Sequence, residues 1–177
     1  MRFKQHSQWK DYSGAASLSG FTLVELMVTL AIMVTVLGVA VPSFQNAMLS
    51  SKLGTQANNL VASAILARGE AIKRNGVVTL CVSTNGTSCA VGGWEQGWII
   101  LSGTDLIQRQ QAAPSGFRIT ESGGLNSVSF QPTGVGATQT TLTVCRATPG
   151  VGSQERVVTI SATGRPTVAK TSNGACP

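Results

Sequence analysis

The chain has a single histidine, His6, and only seven acidic residues in 177. No Ser-His-Asp set, paired catalytic carboxylates or phosphate-cradling glycine loop is visible. The acids Glu70, Glu95, Asp105, Glu121 and Glu155 fall in separate segments. The four cysteines form no CxxC and have no histidine near them, so the usual zinc-ligand spacing is missing. An enzyme, a metal site and a bound cofactor are therefore not expected. Charged residues make up only 11 % of the chain, and there is no internal repeat or low-complexity tract.

What is present is a surplus of positive charge and many turn formers. The formal net charge is +6. From Pro42 onward ten Lys/Arg face five Asp/Glu, about +5. That balance speaks to association with anionic partners, nucleic acid or surfaces, or simply to a solvated basic face. Abundant Gly, Ser and Thr suit a β-rich extracytoplasmic domain, and the length suits one domain plus an anchor.

The anchor is the apolar run Phe21–Val41. Its 21 residues, at 1.5 Å per residue of helix, match a hydrocarbon core of about 30 Å. Within it lies Glu25. A carboxylate near a membrane centre costs about 2.5–3.5 kcal/mol and less near the edge, so an acid here is read as functional by default. The alternative is a plain single-pass anchor whose Glu25 snorkels to the interface. Residues 1–20 carry Arg2, Lys4 and Lys10 against Asp11 and end in Ser17-Leu18-Ser19-Gly20. The small-residue cleavage point thus precedes the apolar run, whereas in a secretory signal it follows. Cleavage here would leave the run attached.

Beyond Pro42, apolar residues recur at helical spacing: Phe44, Met48, Leu53, Ala57, Leu60, Val61, Ala64, Ile65, Ala71 and Ile72. Lys73-Arg74 and Asn75-Gly76 form a good stop. One helix is expected over 21–75, spanning the membrane in 21–41 and amphipathic after it, with a kink at Pro42. From Val77 the period becomes two. Strands are expected at Val77–Val82, Trp98–Leu101, Leu106–Gln111, Phe117–Thr120, Val128–Phe130, Thr140–Arg146 and Arg156–Ser161. Short turn-rich spacers favour antiparallel hairpins. The fold class is α+β: a long N-terminal helix packed on an antiparallel β-rich domain over 76–177. Trp94 and Trp98 either pack a sheet against the helix or stack nucleic-acid bases.

Cys81, Cys89, Cys145 and Cys176 all follow the apolar run, where the compartment is oxidising. Four cysteines permit three connectivities, and sequence alone does not choose. Closeness along the chain favours Cys81–Cys89, leaving Cys145–Cys176 to tie the tail to a strand.

The string GFTLVEL and the layout around it resemble the class III leader of type IV pilins and type II secretion pseudopilins. The run VTLCVSTNGTSC–GGWEQGWIIL and the late Thr163-Gly164-Arg165 resemble the GspH/FimT branch of minor pilins and pseudopilins. The resemblance implies that prepilin peptidase cuts between Gly20 and Phe21 and methylates Phe21. Glu25 becomes the fifth mature residue, and Pro42 stands where pilins often carry proline; Ser19 replaces a frequent basic residue. It also implies an inner-membrane protein with a periplasmic domain. That protein joins other minor pilins and the major pilin at or near a filament tip. In this picture Glu25 meets the α-amino group of a neighbour's Phe21 and sets register. Some FimT-type pilins bind DNA through Gly-Arg-x-Arg. Here Gly164 and Arg165 match, Thr167 stands at the second arginine, and Lys170 is the next cation. Arg165 with Lys170, Arg146 and Arg156 could meet DNA phosphates weakly and without sequence preference. The other reading makes Gly164-Arg165 a hairpin turn, its arginine paired locally.

Overall fold

The computed structural model describes residues 20–135, 138–148, 150, 152, 154–172 and 176; the leader before Gly20 lies outside them. The chain divides into two compact units, Met1–Pro42 and Ser43–Pro177.

Helix α1 runs Leu23–Arg74, 52 residues, with Pro42 inside it. Its start has a local cause. The Thr22 hydroxyl accepts the Glu25 backbone N–H at 3.2 Å, the N-cap half of a T-x-x-E capping box. In the apolar stretch Thr29 and Thr35 donate their hydroxyls to the carbonyls of Leu26 and Ile32, each at 2.8 Å. These polar groups are satisfied within the helix. α1 is long and apolar enough to cross a membrane, its best 18-residue stretch having mean hydropathy 2.4 with none of it buried. The stop is a Schellman motif: Asn75 takes φ 49°, Gly76 N–H bonds Ala71 O, and Asn75 N–H bonds Ile72 O.

In the second unit one seam of α1 is buried: Leu49, Leu53, Gln56, Ala57, Leu60, Ser63, Ala64, Ala67 and Ala71. The 3–4 spacing keeps these on one face, and the alanines let strands approach closely. The stripe read from sequence was too wide. Phe44, Met48, Ile65 and Ile72 are exposed. Ile65 and Ile72 each sit one residue past a seam alanine, about 100° around the helix.

Eight strands follow among the described residues. β1 (Val78–Val82), β2 (Trp98–Ser102), β3 (Asp105–Gln110) and β5 (Ser127–Phe130) form one antiparallel sheet in the order β3-β2-β1-β5. β4 (Phe117–Glu121), β6 (Thr140–Arg146), β7 (Glu155–Ile160) and β8 (Pro166–Thr171) form the second, in the order β4-β6-β7-β8. Seven strands fall where period-two patterning puts them, within a residue or so. β8 carries no such signal: it opens on proline and lies exposed at a sheet edge, where proline is tolerated. Leu80, Trp98 and Ile100 from the first sheet meet Ile119, Leu142, Val158 and Ile160 from the second around the helix seam.

Trp94 and Trp98 both belong to this core and not to a base-stacking platform. Trp98 is fully buried and donates Nε1–H to Ser63 Oγ at 2.9 Å. Trp94, equally enclosed, donates to Leu125 O at 2.9 Å. Between them Gly97 holds φ 107°, and a Cβ there would lie 2.7 Å from Gln110 O. Only glycine fits.

Disulfides join Cys81 to Cys89 and Cys145 to Cys176, the pairing that chain proximity favours. Sequence separations of 8 and 31 correspond to about 2.5 and 3.5 kcal/mol of loop-closure entropy in the unfolded chain. We predict that Cys145→Ser with Cys176→Ser lowers denaturant-unfolding stability by about 3 kcal/mol. Non-reducing peptide mapping of the wild type should return both linkages; free thiols or a crossed pairing would contradict the assignment.

Candidate assembly and phosphate-binding residues

Gly20 and Phe21 immediately precede α1 and are exposed. Glu25 lies in the first turn of α1, also exposed. Its carboxylate makes no hydrogen bond or ion pair with any described residue, unlike the threonines further along the same stretch. The position suits an acid twice over. The helix N-terminus carries partial positive charge, and an acid in an apolar segment near its edge costs less than one at its centre.

The four cations singled out for phosphate binding do not form one cluster. Arg165 tops the β7–β8 hairpin. Gly164 N–H bonds Ser161 O at 2.8 Å, and Ser161 N–H bonds Arg165 O at 3.1 Å. Gly164 is buried at φ 71°, its missing Cβ 3.1 Å from Arg68 Cδ. The hairpin-turn reading is correct for the backbone. The arginine side chain departs from it: it is exposed and makes no hydrogen bond or ion pair among the described residues.

Arg146, Arg156 and Lys170 gather elsewhere. Val144 is opposite Arg156, and Arg156 is opposite Lys170. Arg146, two residues past Val144, shares their face of the sheet. Arg156 reaches α1 and donates to Ser50 Oγ at 2.7 Å. Arg165 instead adjoins Arg68 through Gly164. Ser50 and Arg68 are about 27 Å apart along the helix. Five residues of extended strand likewise carry Lys170 about 16 Å from Arg165. Proximity in sequence was misleading because a strand spends its residues on length.

Two carboxylates are held in fixed roles. Arg74 Nε donates to Glu70 at 2.7 Å and Lys73 lies 3.3 Å from it; the Arg74 bond leads in holding Glu70 below the usual carboxylate range. Partial burial would push Glu121 up. Donation from Thr140, from the Leu125 and Gly123 amides and from Ser122 outweighs it, leaving Glu121 lowered. Glu121 thereby organises the β4–β5 turn: Gly123 N–H lies 2.7 Å away and Leu125 N–H 2.6 Å. It lines a cavity of about 290 Å³ with Glu95 and Arg118. Among the described residues no group of three or more His, Cys, Asp or Glu is placed to hold a metal. Sequence reading passed over Thr22 and Lys52. The T-x-x-E signature could have found the first; the second, which lines a separate cavity of about 410 Å³ together with Arg146, needed the fold.

Residues 56–164 match the family model described as Type II transport protein GspH. Among solved structures, the chain is similar to the type IV minor pilin FimU of Pseudomonas aeruginosa. The identity is 20 %, over 68 % of this chain and 90 % of that one, with a TM-score of 0.53. It is also similar to the minor pseudopilin EpsH of the Vibrio cholerae type 2 secretion system. There the identity is 14 %, over 67 % of this chain and 96 % of that one, with a TM-score of 0.49. A comparison with functionally curated proteins finds no match.

A depressed Glu121 pKa means that the carboxylate contributes stability above its unfolded value, about 4.3, and loses it as pH falls through the lower folded value. We predict that Glu121→Gln destabilises the chain at pH 7 and that the gap to wild type closes as both are unfolded at progressively lower pH. A gap independent of pH would show that the ionised form plays no part in the turn.

Proposed function

The chain belongs to the GspH family of minor pilins and pseudopilins, and from that premise we propose that it is a filament subunit rather than an enzyme. It enters the inner membrane through residues 21–41 with residues 76–177 in the periplasm. Prepilin peptidase removes residues 1–20 at Gly20 and methylates Phe21. The mature chain then joins other minor pilins and the major pilin to initiate or cap a type IV pilus. Type II secretion is the related alternative, and GFTLVEL suits both. Pro42 removes one backbone donor from α1 and bends the helix in this reading.

The observation that carries the proposal is Glu25: an exposed acid in the first turn of a helix apolar enough to cross a membrane, with no partner among the described residues. Cleavage at Gly20 creates an α-amine on Phe21. In a bundle of such helices a neighbour's amine can meet the carboxylate at low dielectric, where the pairing is strong and short-ranged. It fixes register more than it adds stability.

The mature wild type should show an N-terminal mass of methylated Phe21. We predict that Glu25→Val still enters the membrane, since an apolar residue replaces a charge. It should be depleted from sheared filaments, measured by blotting. Equal incorporation of wild type and variant defeats the register argument. A mature N-terminus at Met1, or one beyond the apolar run, defeats the pilin processing itself.

A second reading, DNA binding, is favoured by one observation: the Arg165 guanidinium stands exposed on a rigid Gly164 turn that matches Gly-Arg of the FimT element. With Lys170 at the other end of the strand, Arg165 meets a phosphate alone. Residues 43–177 should then retard duplex DNA weakly, with a log–log salt slope of about −1 that Arg165→Gln abolishes. No retardation at low salt, or a slope indifferent to Arg165→Gln, leaves Arg165 a turn residue only.

A further inference from the structure

A cavity of about 270 Å³ lies between the loop closed by Cys81–Cys89 and the end of β3 with the residues that follow it. Both walls are fixed. In the loop the Ser83 hydroxyl accepts the Gly86 N–H at 2.9 Å and donates to Ser88 O at 2.7 Å. Asn85 Oδ1 accepts the Thr87 and Ser88 N–H groups at 2.9 and 3.0 Å. Ser83 N–H ties the loop to Gly97 O at 3.0 Å. On the other wall Ala113 N–H bonds Glu95 O at 2.8 Å. Gly86 is buried at φ 73°, and a Cβ there would collide with Arg109 Cδ. Its missing side chain leaves the arginine stem room to lie against the loop.

Arg109 is the one charged side chain among the described residues lining this cavity. It is exposed and has no hydrogen bond or ion pair among the described residues. The nearby acids are engaged elsewhere. Glu95 accepts the Ile119 N–H at 3.3 Å and lines a different cavity. Asp105 sits four residues back along β3, about 13 Å away, beside Arg74. The rest of the lining is polar and neutral. The hydroxyl of Thr84 and the amides of Gln96, Gln110 and Gln111 carry no hydrogen bond among the described residues. The apolar side chain of the lining is Ala112.

We propose that this cavity binds one uronic-acid residue of an acidic polysaccharide. The planar guanidinium fork of Arg109 matches a carboxylate bidentately. Each sugar hydroxyl both donates and accepts, and a side-chain amide offers both functions, so Gln96, Gln110, Gln111 and Thr84 take the ring hydroxyls. A phosphate group offers acceptors only and would leave the amide carbonyls facing its oxygens. A peptide terminus brings a side chain, for which Ala112 alone gives apolar contact. The volume falls just below the roughly 300–1,000 Å³ of drug-sized sites, which suits one sugar ring. Burying a hydroxyl or a carboxylate against fixed walls avoids the ordering cost that a mobile loop would add.

The full chain, in a neutral detergent, is titrated calorimetrically with trigalacturonate and with its methyl ester, which keeps the ring hydroxyls and loses the charge. Trigalacturonate should bind at least about tenfold more tightly than the ester, the worth of a charge-assisted hydrogen bond. Arg109→Gln, an exposed change that circular dichroism should show to be folded, should abolish that preference. Gln96→Ala with Gln111→Ala should weaken both ligands about fivefold, because the hydroxyl contacts are common to them. Arg165→Gln should change neither. No binding of trigalacturonate up to about 10 mM overturns the inference, as do equal binding of acid and ester and an unchanged preference in Arg109→Gln. If an oligothymidylate binds more tightly than trigalacturonate and is lost in Arg109→Gln, the cavity is a phosphate site and the uronate assignment fails.

Discussion

Two four-stranded sheets, each with an apolar face to bury, close on the same seam of α1, so the spacing along that seam limits everything built upon it. Leucines at 49, 53 and 60 fill the lower part, and alanines at 57, 64, 67 and 71 bring the helix axis close to the strands. A larger side chain at any of those fully buried alanines would overpack the core, at a cost of about 1–3 kcal/mol. Ser63 is the single hydroxyl in the seam that meets an indole, and its bond to Trp98 joins α1 to β2. The Trp94–Gly97–Trp98 segment turns the chain tightly enough to deliver both rings to the same core.

Much of this arrangement was legible from residues alone. The helix stop at Asn75-Gly76 and seven of the eight strands follow from periodicity and turn chemistry, and chain proximity favoured the observed disulfide pairing without fixing it. Three things were not. β8 opens on Pro166 and has no buried face of its own, so no alternation marks it. The outward positions of Ile65 and Ile72 depend on which seventh of the helix the sheets occupy, and an amphipathic count cannot settle that. The cations were misgrouped because distance along a strand grows by about 3.3 Å per residue. Arg165 and Lys170, five apart, separate further than Arg146 and Lys170, which come from different strands.

The surface chemistry therefore has a polarity that composition hides. A net charge of +6 reads as a uniformly basic protein. The fold instead places one exposed arginine at the Arg68 end of the second sheet and gathers Lys52, Arg146, Arg156 and Lys170 at the Ser50 end. The acids are largely committed. Glu70 holds Lys73 and Arg74, Asp105 lies 3.5 Å from Arg74, and Glu121 holds a turn.

The Cys145–Cys176 bond has a mechanical meaning as well as a thermodynamic one. β8 is an edge strand held to a single neighbour, the kind of element that peels first when a chain end is free. The Cys145–Cys176 bond fastens the stretch after β8 back to β6, an interior strand of the sheet, so β7 and β8 lie within a covalently closed loop. β8 therefore stays tethered to the sheet even where its pairing with β7 opens.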